Sequence, residues 1–153
     1  METLDKHRDL LRLTARGLTD EQAARSTTVS ALCVGGLIKH VAVTEERWMR
    51  FATGDATAVG GTDDRANEFR FVEGDTLDGV LKLYDDVARH TDELVRTLPD
   101  LDAAYPLPPA PWFPPGARWS VRRVLLHLIA ETAQHAGHAD IVREAIDGQK
   151  SMG

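Results

Sequence analysis

An all-α fold, a four-helix bundle, is what this sequence predicts, on three observations. All seven prolines fall between positions 99 and 115, so the rest of the 153-residue chain has no proline to break a helix. Apolar residues recur at helical spacing in three long stretches and one shorter one. Amphipathic helices of such length bury their stripes most simply against one another.

The first helix is expected over 2–16, with Leu4, Leu11, Leu13 and Ala15 as its apolar members and Gly17 as its stop. Thr19 and Gln22 then have the spacing of a capping box for a short turn. The second helix is expected from about Ser30 to Ala52, with Leu37, Val41, Thr44, Trp48 and Phe51 on one side and Gly54 as its C-terminal cap. Residues 54–75 are rich in Gly, Asp and Thr and read as a surface loop. The third helix covers about 76–97 on the stripe Val80, Tyr84, Val87, Thr91 and Leu94. The Pro-rich segment 99–118 follows, carrying Trp112 and Phe113, and Ser120 caps a fourth helix that runs to about Asp147 before Gly148. The connections between helices two and three and between three and four are long, so spacing alone leaves the topology open.

The length fits one domain. A composition 42% apolar and 27% charged is that of a soluble globular protein. The net charge of -6 argues against a nucleic-acid partner, which needs a basic footprint. The opening METLDKHRDL has no apolar core for a signal peptide, and the longest apolar run, ALCVGGLI at 31–38, is too short to cross a bilayer. With Cys33 as the sole cysteine, no internal disulfide forms; a reducing, cytoplasmic setting and a buried, inert thiol are expected.

The informative feature lies in helix four. At about 100° per residue, Val124, Leu128, Glu131, His135, His138 and Val142 project to one side, with His127 at the polar edge of that strip. A carboxylate and imidazoles enter an apolar stripe only when paired, hydrogen-bonded or metal-bound. His40 lies between Leu37 and Val41 on the inner side of helix two, so His40, Glu131 and His135 can converge if the two helices face each other. Two imidazoles and a carboxylate suit zinc, nickel, iron or manganese and leave coordination positions open. The pattern alone leaves three readings: a metal site, an internal Glu131–His135 ion pair, and the solvated edge of an exposed helix. His7 and His90 read as surface residues.

Other motifs carry nothing. There is no HExxH, and Glu131 and His135 are four apart and single, whereas a di-iron bundle repeats Glu-x-x-His twice. Gly35-Gly36 and Gly60-Gly61 lack the remainder of a phosphate loop and fit close packing or a turn. Ser120 has no nucleophile-elbow motif around it.

The segments GGLIKHVAVTEERWM (35–49) and WSVRRVLLHLIAETAQHAGHADIVREAIDG (119–148) resemble the DinB-like superfamily, most closely its uncharacterised actinobacterial branch. The resemblance covers most of the chain. It implies a bundle in up-down-down-up order and a divalent metal held by His40, Glu131 and His135. In the commonest form of the superfamily the position of Glu131 is His; a Glu-x3-His pair matches the mycothiol-dependent maleylpyruvate isomerase branch. His138 stands where Gln is usual, which offers it as an outer-shell group or an alternative ligand.

What the resemblance implies for function is a metal-dependent transferase or isomerase using a low-molecular-weight thiol such as mycothiol, with a small-molecule second substrate. His138 and His127 are the candidate catalytic groups, to accept the thiol proton or orient a ligand. Trp112 and Phe113 either wall a pocket mouth or pack the loop onto the bundle. Arg70, Arg122 and Arg123 fit solvated surface positions better than a carboxylate site. A homodimer is compatible with the resemblance, although no exposed stripe demands one. A metal-binding or ligand-binding module without catalysis, and a dimer whose polar cluster is a hydrogen-bonded core, are the rival classes.

Overall fold

A computed structural model describes residues 1–60 and 65–151, with the backbone alone at positions 65 and 66. Six helices occur among the described residues: α1 (Glu2–Ala15), α2 (Asp20–Ala23), α3 (Val34–Ala52), α4 (Arg65–Glu68), α5 (Leu77–Thr97) and α6 (Val121–Asp147). Two short strands, β1 (Ala104–Pro106) and β2 (Arg118–Ser120), pair antiparallel in the register Ala104 to Ser120, Tyr105 to Trp119 and Pro106 to Arg118. The four long helices, α1, α3, α5 and α6, form the bundle that periodicity predicts. None of the described helices is long and apolar enough to cross a membrane.

Caps set the helix ends where local chemistry places them. Thr19 accepts a bond from the Gln22 amide while the Gln22 side chain returns one to the Thr19 amide, the expected capping box. Ser120 accepts from the Arg123 amide and opens α6, and Gly148, at φ +79°, closes it. The start of α3 differs from expectation: it begins at Val34, not near Ser30. Ser30 instead accepts a bond from the Leu32 amide, a local turn that holds the chain out of the helix. The segment 54–75 is not wholly a surface loop, since it contains α4 and buries Val59 and Glu68. Gly61 of the second glycine pair lies outside the described residues.

Side-chain pairings fix the topology. Arg8 binds Asp92 at 3.0 Å and Arg12 binds Asp85 at 2.8 Å, so α1 and α5 run antiparallel. Leu4 packs with Val121 and Val124 at one end of the bundle, and Arg143 donates to the Thr14 and Arg16 carbonyls at the other, so α1 and α6 run parallel. Facing pairs His40–His135 and Trp48–His127 make α3 and α6 antiparallel. Lys39 binds Asp75 ahead of α5, and Met49 shares a groove with Thr91, so α3 and α5 run parallel. The order is up-down-down-up.

The predicted stripes form the core. Leu37, Val41, Tyr84 and Val142 belong to one apolar cluster, and Leu4, Trp48, Phe51, Val124 and Leu128 to another. Cys33 is buried, as expected.

Gly35 and Gly36 serve close packing. A Cβ on Gly35 would collide with the Phe71 ring, and one on Gly36 with the Phe69 carbonyl. The segment after α4 thus lies directly on α3, one turn before His40. Gly36→Ala gains helix propensity worth about 1 kcal/mol, but the overpacking against rigid backbone costs about 1–3 kcal/mol. The expected result is a net loss of melting temperature of a few degrees, read by thermal denaturation; an equal or higher value would show that the contact yields freely.

Candidate metal centre

His40, Glu131 and His135 meet where α3 crosses α6. One ligand-type atom from each lies within 4.8 Å of the others. Glu131 Oε2 is 3.5 Å from His135 Nε2 and 4.0 Å from His40 Nε2. Residues four apart on α6 put the carboxylate and imidazole on one face, and the antiparallel crossing brings His40 to meet them. The rival reading of a fully exposed helix edge is overturned, since His135 is buried and His40 and Glu131 are half-buried.

The far nitrogen of each imidazole has its own neighbour. His40 Nδ1 is buried, has no well-aligned hydrogen bond, and faces Glu68 Oε2 at 3.5 Å. Glu68 is in turn held by Arg47. Phe69 stacks on the His40 ring at a centroid distance of 3.7 Å and an angle of 21°. His135 Nδ1 lies 3.4 Å from His138 Nδ1, so one of these nitrogens donates and the other accepts. In both histidines Nε2 is left facing the cluster, the arrangement by which outer groups fix the tautomer of a metal-binding imidazole. Thr44 Oγ1 is a further neighbour of His40 Nε2, at 3.4 Å.

Electrostatics suit a cation. Burial pushes His40 down to about 4, with the His135 charge adding and the Glu68 and Glu131 carboxylates opposing, so the ring is neutral at neutral pH. The bond to His135 holds Glu131 below the usual carboxylate range against the opposing effect of burial, so it is anionic. Neutral imidazoles and an ionised carboxylate are the forms that ligate divalent ions. The residues therefore fit a divalent metal.

A cavity of about 380 Å³ opens onto His40 and Glu131. His127 lines it, edge-on to Trp48 and Trp119, with Nε2 3.8 Å from Glu131 Oε1. Burial lowers the His127 pKa, and Arg123 adds to this against the opposing Glu131. His138 does not line this cavity; it contacts the outer nitrogen of His135. The two candidate catalytic histidines are thus separated by position. Trp112 and Phe113 both line the cavity, brought there by the β1–β2 pairing that folds the Pro-rich segment back over the start of α6.

Arg70, Arg122 and Arg123 are exposed; Arg122 pairs with Asp102, and Arg123 lies over the Trp119 ring. His90 is exposed and His7 half-buried, and neither joins the cluster. Glu68, Arg47 and Phe69 went unpredicted. The available signal was Gly35-Gly36, a smooth surface on α3 that invites a close neighbour one turn from His40.

The architecture recurs in a crystal structure of a conserved protein from Enterococcus faecalis, with a TM-score of 0.60 and 16% identity over 97% of this chain and 95% of that one, a likeness of fold. No curated protein matches the chain. The family model for mycothiol-S-transferases matches residues 1–148, which takes in all four bundle helices and the whole cluster: the chain belongs to the mycothiol-S-transferase family.

Proposed function

We propose that this protein is a divalent-metal-dependent S-transferase that joins mycothiol, or a thiol of that class, to a small electrophile. The observation that carries the reading is the convergence of His40, Glu131 and His135 beside a cavity that His40 and Glu131 line, in a chain whose family match spans residues 1–148. These three residues would hold the ion. A bound divalent ion supplies Lewis acidity that favours the thiolate form of a coordinated thiol near neutral pH.

The protein's own groups do the rest. His127 Nε2 takes the thiol proton. The sulfur lone pair then forms a bond to the electrophilic carbon, the leaving group departs with the electron pair of the broken bond, and His127 returns the proton to it. Glu68, braced by Arg47, and His138 orient the two imidazoles. The aromatic walls exclude water from the reacting atoms.

Protein purified without added metal should carry a divalent ion, and should consume mycothiol in the presence of a panel of alkylating electrophiles. A chelator should stop this and added metal restore it. Absence of metal, or activity indifferent to His40→Ala, would overturn the proposal. Metal and thiol bound with no transfer would identify a binding module instead.

Glu68 gives a further expectation. Partners of the outer nitrogen of a ligating histidine are typically worth about 10–100-fold in metal affinity. Glu68→Ala should weaken metal binding within that range in a chelator competition, and Glu68→Gln, whose amide oxygen still accepts a bond, should cost less. Equal affinity in all three proteins would remove Glu68 from the site.

A further inference from the structure

We infer that the outer half of the cavity is a slot for a flat, apolar ring, the aromatic body of the electrophile. The assignment of that ring to an electrophile rests on the S-transferase reading; the slot itself rests on geometry.

Polarity in the cavity is segregated. His40, Glu131 and Thr44 lie at the end that meets the three-residue cluster, His127 stands between Glu131 and the Trp48 and Trp119 rings, and the Arg47 charge is taken up by Glu68. Away from that end the walls are aromatic. Trp48 and Trp119 stack at 4.7 Å and 14°, Phe113 meets Trp119 at 5.9 Å, and Trp112 meets Phe113 at 6.1 Å. These rings form a continuous π surface from the inside of the cavity outward.

Core packing accounts for the inner rings and not for the outer one. Trp48 is 9% exposed and belongs to a core cluster, whereas Trp112 is 56% exposed while lining the cavity. At that exposure the indole keeps apolar surface at the cavity that a ligand ring can cover. The volume, about 380 Å³, is near the lower end of small-molecule pockets, which run about 300–1,000 Å³. It suits a body of one or two rings with its reactive atom directed inward.

The test uses the full chain stripped of metal with a chelator, so that it does not depend on turnover. The probes are 2-naphthol, its saturated analogue decahydro-2-naphthol, and methyl glucoside with myo-inositol as stand-ins for the sugar-like part of the thiol. Binding is read by calorimetry and by quenching of tryptophan fluorescence. 2-Naphthol should bind about tenfold more tightly than the saturated analogue, since stacking adds to area burial. Trp112→Leu, which keeps apolar bulk, should remove most of that preference, and Trp112→Phe should retain much of it. Trp112 is exposed, so both variants should fold.

Equal affinity for the flat and saturated probes would overturn the inference, as would 2-naphthol binding indifferent to Trp112→Leu. Binding of the sugar probes with the same Trp112 dependence would also overturn it, by giving the slot to the thiol. The two readings fail separately. Naphthol binding without thiol transfer in the metal-loaded protein sinks the transferase and leaves the slot. Transfer without Trp112-dependent ring preference does the reverse.

Discussion

Replacing His135 with alanine is expected to lower divalent-metal affinity by more than about 100-fold, beyond the upper end of what loss of an outer-shell partner costs. Its Nε2 faces Glu131 and its ring stands edge-on to His40 at 4.8 Å, so no neighbouring imidazole can take its place without moving. His138 is no substitute: it sits behind His135, at the nitrogen that does not face the cluster. The unliganded variant should remain folded, because His135 is one residue at the edge of an otherwise apolar interface. The signature is therefore a lost stabilisation by metal rather than a lost fold. Metal at about 1,000 times its dissociation constant stabilises a protein by about 4 kcal/mol, which should appear as a clear rise in melting temperature for the native chain and none for His135→Ala. Near-stoichiometric metal in the purified variant, by elemental analysis, would refute the ligand assignment.

The parts of this design differ in how far the sequence discloses them. The helices are legible because each carries its own period, as in Val80, Tyr84, Val87 and Thr91, all buried. Caps such as Thr19, Gln22 and Ser120 are legible because they act on amides three residues away. The cluster was legible for a related reason, since Glu131 and His135 interrupt an apolar stripe and His40 does the same on the facing helix. Glu68 was not, because its segment shows no period and its position depends on a contact with Gly36 across more than thirty residues of chain. The β1–β2 pair was hidden by its three-residue strands, one ending in Pro106, which read as part of a Pro-rich loop.

The other large expected effect concerns a feature at the centre of the bundle that charge alone disguises. Arg8 and Glu45 are 1% and 0% exposed and bind each other through both guanidinium-side bonds. Each occupies a stripe position: Arg8 falls four residues after Leu4 and three before Leu11, and Glu45 four after Val41 and three before Trp48. Arg8 also reaches Asp92 at 3.0 Å and Asp5 at 2.6 Å, tying α1 to α5 as well as to α3. Arg8→Met leaves Glu45 as a buried carboxylate without its partner. Breaking a buried pair from one side typically costs about 3–5 kcal/mol, or roughly 10 °C in melting temperature for a domain of this size. The double variant Arg8→Met with Glu45→Leu removes both charges and replaces them with apolar volume, so it should recover most of the loss. That recovery separates an uncompensated charge from a packing defect, because a cavity or a clash would persist in the double variant. If the single variant melts within a degree or two of the native chain, the central pair contributes little and the bundle is held by its apolar clusters alone.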